Sequence, residues 1–227
     1  VLLRRTIRAA GSTVKTKKSA LQAVKTCVIE WFDWTKSHGE SAPDVSDNPK
    51  VKVAEILRVN YNPSEAGKPE PLFWSEVAPV TKEDIERTIR LIKYSREDLI
   101  STTKNITGEM LDWQPPAKLR PIGNCLKHIA HAELWYLTRL DVPWPEKIPE
   151  SPTELLNYSR ETTLKYLHNF PERKMKGVFQ PKRYRSPVCN LWTARKFLRR
   201  LVDHEMLHVR DIKKVLELEK SKVVVRD

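Results

Sequence analysis

The run Phe197-Leu198-Arg199-Arg200-Leu201-Val202-Asp203-His204-Glu205-Met206-Leu207-His208-Val209-Arg210-Asp211-Ile212 decides how the rest of the chain is read. Phe197, Leu201, His204, His208, Ile212 and Val215 recur at steps of three and four, which on a helix makes one continuous face. Both histidines therefore point where the aliphatic side chains point, toward a core. Two imidazoles one helical turn apart can close on the same divalent ion. The plain alternative is a pair of core-edge histidines satisfied by backbone or carboxylate partners, and the spacing alone leaves both open.

Three further amphipathic runs precede this one. Thr81-Lys82-Glu83-Asp84 reads as a capping box with Asp in the usual Glu position, and Ile85, Ile89, Ile92, Leu99 and Ile106 then mark a helix of about six turns. Residues 108–121, with Trp113, Pro115, Pro116 and Pro121, read as a connector. The next helix is predicted over about 122–140, with Ile122, Cys125, Ile129, Ala132, Tyr136 and Leu140 as its core stripe and His128 on the inward side. In Ser151-Pro152-Thr153-Glu154 the Ser caps, Pro takes the first helical position and Glu closes the box of a third helix. That helix carries Leu155, Leu156, Leu167 and Phe170 and stops at Pro171. The fold class is mainly α, a four-helix bundle over 72–227, in which metal sites form between facing helices.

Residues 1–71 read as a small α/β appendage with a linker. Ala20, Leu21, Val24, Cys27, Val28 and Trp31 mark a helix closed by Gly39, and Val51, Val53, Leu57, Val59 and Tyr61 alternate as a strand would. Pro63, Gly67, Pro69 and Pro71 mark the linker.

Two strings carry a family resemblance. Leu126-Lys127-His128-Ile129-Ala130-His131-Ala132-Glu133-Leu134-Trp135-Tyr136-Leu137 resembles the second helix of DinB-like (DinB/YfiT) proteins, and Arg199–Ile212 resembles their last helix. The resemblance covers roughly residues 80–220. It implies a three-histidine divalent-metal site of His128, His204 and His208, with open positions as in catalytic rather than structural centres. It also implies thiol-dependent transferase or isomerase chemistry, with a low-molecular-weight thiol and a small-molecule substrate as partners. Zn²⁺ and Ni²⁺ are the expected metals, since imidazole suits both. Residues 1–60 look like part of a HicB-like α/β module, through Gly11, Thr16, the Ala20-Leu21 helix and the 51–61 strand, with its initial strands preceding Val1.

Other groups near the ligands are weighed by helical position. Cys125, Glu133 and Glu205 are candidates to stand behind the ligands, Cys125 also as a fourth soft ligand. Arg195, Arg199 and Arg200 are candidates to hold an anionic thiol, against the plainer reading of a solvated basic face. His-Glu-Met-Leu-His also fits the HExxH pattern of zinc proteases, with Glu205 as general base. That reading lacks a downstream ligand, because Glu217 lies about 13 Å beyond His208 on a straight helix.

The net charge is +12 and the sequence pI near 9.6. Between Glu172 and Arg200 stand Arg173, Lys174, Lys176, Lys182, Arg183, Arg185, Arg195, Lys196, Arg199 and Arg200 against the single Glu172. Tyr184 and Trp192 could stack on bases, yet no nucleic-acid-binding signature accompanies them, which disfavours that partner. No apolar run approaches the roughly 18 residues that span a bilayer, so no membrane partner is expected. Cys27, Cys125 and Cys189, without a CxxC, fit a reducing cytoplasm. A homodimer stays open.

Overall fold

The computed structural model describes residues 17–45, 49–57, 70–116, 119–180 and 191–224. The chain divides into two units, Val1–Ser75 and Glu76–Asp227.

In the first unit, helix α1 spans Lys17–Ser37. It ends in a Schellman motif. Gly39 takes φ +78°, its N–H donates to Lys36 O at 2.9 Å, and the Glu40 N–H donates to Thr35 O at 3.0 Å. Glycine is needed there because a Cβ disfavours the left-handed region. The Trp31 and Trp34 rings pack at 5.0 Å between centroids, and His38 meets Trp34 at 5.2 Å.

The strand expected over 51–61 is not formed among the described residues. Residues 51–57 carry no strand pairing, and 58–61 lie outside the described residues. Alternation specifies a strand only where a neighbouring strand takes up the backbone groups and one face is buried. Here neither holds: Val53 is 42% exposed and Ile56 66%. Most of the linker, residues 62–69, also lies outside the described residues.

The second unit holds α2 (Lys82–Thr103), the short α3 (Gly108–Asp112), α4 (Ile122–Thr138), α5 (Pro152–His168) and α6 (Ala194–Val224). Helices α2, α6, α4 and α5 pack in that order around a closed square, each beside two others. Ile85, Ile89, Ile92 and Leu99 of α2 are buried there with Ile122, Ile129 and Leu137 of α4, Leu155 and Leu167 of α5, and Phe197, Leu201 and Ile212 of α6. The mainly α, four-helix architecture therefore follows the apolar periodicity. Among the described residues the only β pairing is a single antiparallel bridge between Phe179 and Trp192.

The helix starts match their chemistry unevenly. The α2 capping box is complete, with Asp84 N–H on Thr81 Oγ1 at 3.1 Å and Thr81 N–H on Asp84 Oδ2 at 2.9 Å. At α5, Ser151 occupies the cap and Pro152 the first position, but the Ser side chain makes no cap hydrogen bond, so no box forms. Helix α2 stops at Thr103, before Ile106, and part of the expected connector is α3, capped by Thr107 Oγ1. Thr193 directly precedes α6, and its Oγ1 accepts from Lys196 N–H at 3.1 Å and donates to Glu76 O at 2.7 Å.

Candidate metal centre

Helix α4 supplies His128, and α6 supplies His204 and His208 one turn apart. Their nearest ring nitrogens all lie within 4.8 Å of one another. His204 Nε2 and His208 Nε2 are 3.2 Å apart, and His128 packs at 5.1 Å and 4.9 Å from the two rings. His204 and His208 are buried and His128 half-buried. His128 is thus the most accessible of the three.

Two of the three rings are held neutral. Burial, with the charge of Arg120 and the neighbouring His208 and His131, pushes His128 down to about 4. Burial, then His208 and Arg200, pushes His204 well below the ordinary imidazole range. At neutral pH these rings therefore present lone pairs, the form a metal requires. His208 Nδ1 lies 3.4 Å from Asp211 Oδ2. A proton on Nδ1, the side that faces Asp211, would leave Nε2 as the lone-pair nitrogen toward His204. That contact holds the Asp211 carboxyl below its ordinary value. Three imidazoles in one pocket form a donor set that a divalent ion fits.

The flanking candidates have other occupations. Cys125 is buried outside the cluster, and burial, with the nearby Asp211, pushes its thiol up to about 12. Glu205 is not free to act as a base. Arg96 Nε meets its Oε1 at 2.6 Å, Arg160 Nη2 its Oε2 at 2.5 Å, and Ser95 Oγ donates to Oε2 at 2.6 Å. Burial pushes this carboxyl up, but Arg160, Arg96 and Ser95 outweigh it and hold it below the ordinary range. Glu133 contacts the same two guanidiniums, 3.1 Å from Arg96 Nη2 and 2.8 Å from Arg160 Nε, and lies 3.0 Å from Ser159 Oγ. Glu217 and Glu219 continue along α6, so they extend away from the histidines rather than returning.

The three arginines divide. Arg195 clamps the approach to α2, donating to Ala78 O at 3.1 Å and pairing with Asp84 at 3.0 Å. Arg199 pairs with Glu76 at 2.7 Å and Asp203 at 3.3 Å. Only Arg200 bears on the cluster: it donates to Tyr136 Oη at 2.8 Å, and the Tyr136 ring packs edge-on to His204 at 5.6 Å.

The basic segment is likewise partly consumed by the fold. Lys174 is buried against Asp141 at 2.6 Å, and Lys196 is buried over the Trp192 ring. Trp192 is 1% exposed, packed on Trp135 and Tyr136, so it offers no stacking face to a base. Tyr184 and Cys189 lie outside the described residues.

Sequence reasoning missed Arg96, Arg160, Ser95, Ser159 and Asp211. A signal was present: Arg96 stands four residues after Ile92 and three before Leu99, on the apolar face itself. A charge on a buried stripe calls for an opposite charge on a facing helix.

A bundle with three inward histidines on two facing helices defines a class of candidate metal-binding helical proteins. The family model of the DinB superfamily matches residues 91–212, more than half of the chain, and the chain belongs to that superfamily. The match covers α4, α5 and the part of α6 that carries both histidines, and gives no support to a HicB-like reading of the first residues. Neither a curated protein nor a solved structure matches the chain. No helix among the described residues is long and apolar enough to cross a membrane.

Proposed function

We propose that His128, His204 and His208 bind a divalent metal, Zn²⁺ or Ni²⁺, and that the centre serves a thiol-dependent transfer to a small electrophile. The observation that carries the metal reading is the convergence of three imidazole nitrogens within 4.8 Å, two of the rings on residues buried in the bundle. A bound divalent ion would supply the positive charge that keeps a low-molecular-weight thiol ionised at neutral pH. The thiolate form is the nucleophile, so the protein's own task is to bind and aim it.

The residues around the cluster fit that division of labour. Cys125 keeps its proton and Glu205 is held by two guanidiniums, so neither offers a nucleophile or a base of its own. The occupation of Glu205 also weighs against a protease, which would need that carboxylate free beside the ion. The half-buried side at His128 leaves an approach for a small molecule. Arg200, beside Tyr136 and His204, is the one cation of the three candidates placed to meet an anionic group of the thiol.

The test is to load the protein with Co²⁺ and titrate it with a panel of biological thiols, with His204→Ala as control. Wild type should bind about one equivalent and gain a thiolate-to-metal absorption band, while the variant should lose metal. Equal metal in both proteins, or none in either, overturns the metal site. Metal without a thiol response leaves a non-catalytic metal-binding bundle.

A further inference from the structure

Behind the histidines lies a second polar assembly that the proposed reaction does not use. Arg96 of α2, Glu133 of α4, Arg160 of α5 and Glu205 of α6 form a buried ring of alternating charge, one residue from each helix of the square. Each carboxylate touches both guanidiniums, and each guanidinium touches both carboxylates. Ser95 and Ser159 each add a hydroxyl to one carboxylate, and Arg96 Nη1 also donates to Leu156 O at 2.7 Å. Arg160 Nη1 donates to Ile92 O. The ring sums to zero net charge.

Buried ion pairs contribute little net stability compared with apolar residues of the same volume, so stability alone does not account for such a ring. Its geometry accounts for more. Glu205 directly follows His204, and one residue turns a helix by about 100°. With Glu205 held from α2 and α5 by one directed hydrogen bond from each guanidinium, His204 and His208 must both face to one side, toward α4. Glu133 stands five residues after His128 and fixes the rotation of α4 in the same way. Apolar ridges in grooves tolerate small slides and rotations; a closed ring of four ion pairs, three of them directed hydrogen bonds and the Arg160 Nε–Glu133 contact a close ion pair, tolerates them less. A small cavity lined by Glu133, Arg160, Tyr136, His204 and Glu205 joins the ring to the back of the cluster, so the two are neighbours in space as well as in sequence.

We infer that the Arg96–Glu133–Arg160–Glu205 ring is the positioning device of the histidine centre, setting the rotation of α4 and α6 so that the three imidazoles converge before any ligand arrives. The four residues touch no substrate; they act through His128, His204 and His208. The inference rests on the metal reading for its purpose.

The experiment replaces the whole ring by apolar residues of similar size, Arg96→Met, Glu133→Leu, Arg160→Met and Glu205→Met together, which leaves no unpaired charge behind. Glu205→Gln, which strands two cations, serves as the destabilised comparison. Thermal unfolding, Zn²⁺ affinity and histidine ring-to-ring NOEs in the metal-free protein are measured on each. The apolar variant should keep the wild-type midpoint or exceed it, lose the contacts between the His128 ring and the other two, and bind Zn²⁺ about tenfold or more weakly. Unchanged ring contacts and affinity in a folded apolar variant overturn the proposal. If the apolar variant does not fold, the ring is a stability element and the proposal falls. If wild type itself binds no Zn²⁺, the metal reading fails separately, and the NOEs still decide whether the ring positions the imidazoles.

Discussion

Cys125 shows how environment assigns a role that residue type leaves open. Three positions before His128 and rich in metal-ligating chemistry, it reads from spacing as a conceivable fourth ligand. In the structure it is 3% exposed and its thiol is pushed up to about 12, chiefly by burial, so it behaves as a small apolar core residue. In native protein at neutral pH it should resist alkylation by iodoacetamide, whereas half-buried Cys27 is modified; both should react in urea. Peptide mapping by mass spectrometry reads this directly. Fast native modification of Cys125 would mean that the α4 face is open. The histidines are the converse case: their spacing already marked His204 and His208 as inward, and burial then makes His204 neutral as well as inward.

Among the elements, α2 owes its start to a reciprocal cap tied to a distant helix. Asp84 accepts from Thr81 N–H and pairs with Arg195 of α6. Burial pushes its carboxyl up, but Thr81 and Arg195 outweigh burial and hold it below 3.8. A carboxyl lowered in the folded state contributes stability above its unfolded value and loses it as pH falls through the folded one. Asp84→Asn should therefore destabilise the protein at pH 7, and the penalty should fade below about pH 3.8, the unfolded-chain value for Asp. Thr81→Ala should cost about 1 kcal/mol in denaturant unfolding at pH 7. A pH-independent Asp84→Asn penalty would refute the ion-pair account. The same element shows what sequence could and could not give. Ile85, Ile89, Ile92 and Leu99 made α2 legible, because an apolar stripe of helical period has one solution. Arg96 and Ser95 interrupt that stripe, and their partners stand up to 110 positions away, so no local pattern could name them. The 51–57 stretch failed in the opposite way: its alternation was local and clear, but a strand needs a partner that a sequence window does not contain. At α5, Ser151 and Glu154 had the right spacing for a box, and the Ser hydroxyl is simply not used.

On the scale of the molecule, the division after Ser75 and the self-contained core from Glu76 onward lead to a direct expectation. Residues 72–227 expressed alone should stay soluble and helical by circular dichroism, retaining the Glu76–Arg199 pair and the Thr193 contact with Glu76. Outright unfolding would show that the first unit is required for the second. The buried charge ring has a consequence for how that second unit assembles. With any one of α2, α4, α5 or α6 undocked, the remaining three leave a charge in the interior without its counterpart, a costly state. Partly built bundles are thereby penalised, and so are mispaired ones, because a helix seated backwards or one turn out of step brings no matching charge. Glu205 and Arg96, 109 positions apart, meet only when the last helix has found the first. Folding of the four helices should then be all-or-none, with the electrostatics acting as a check on correct assembly.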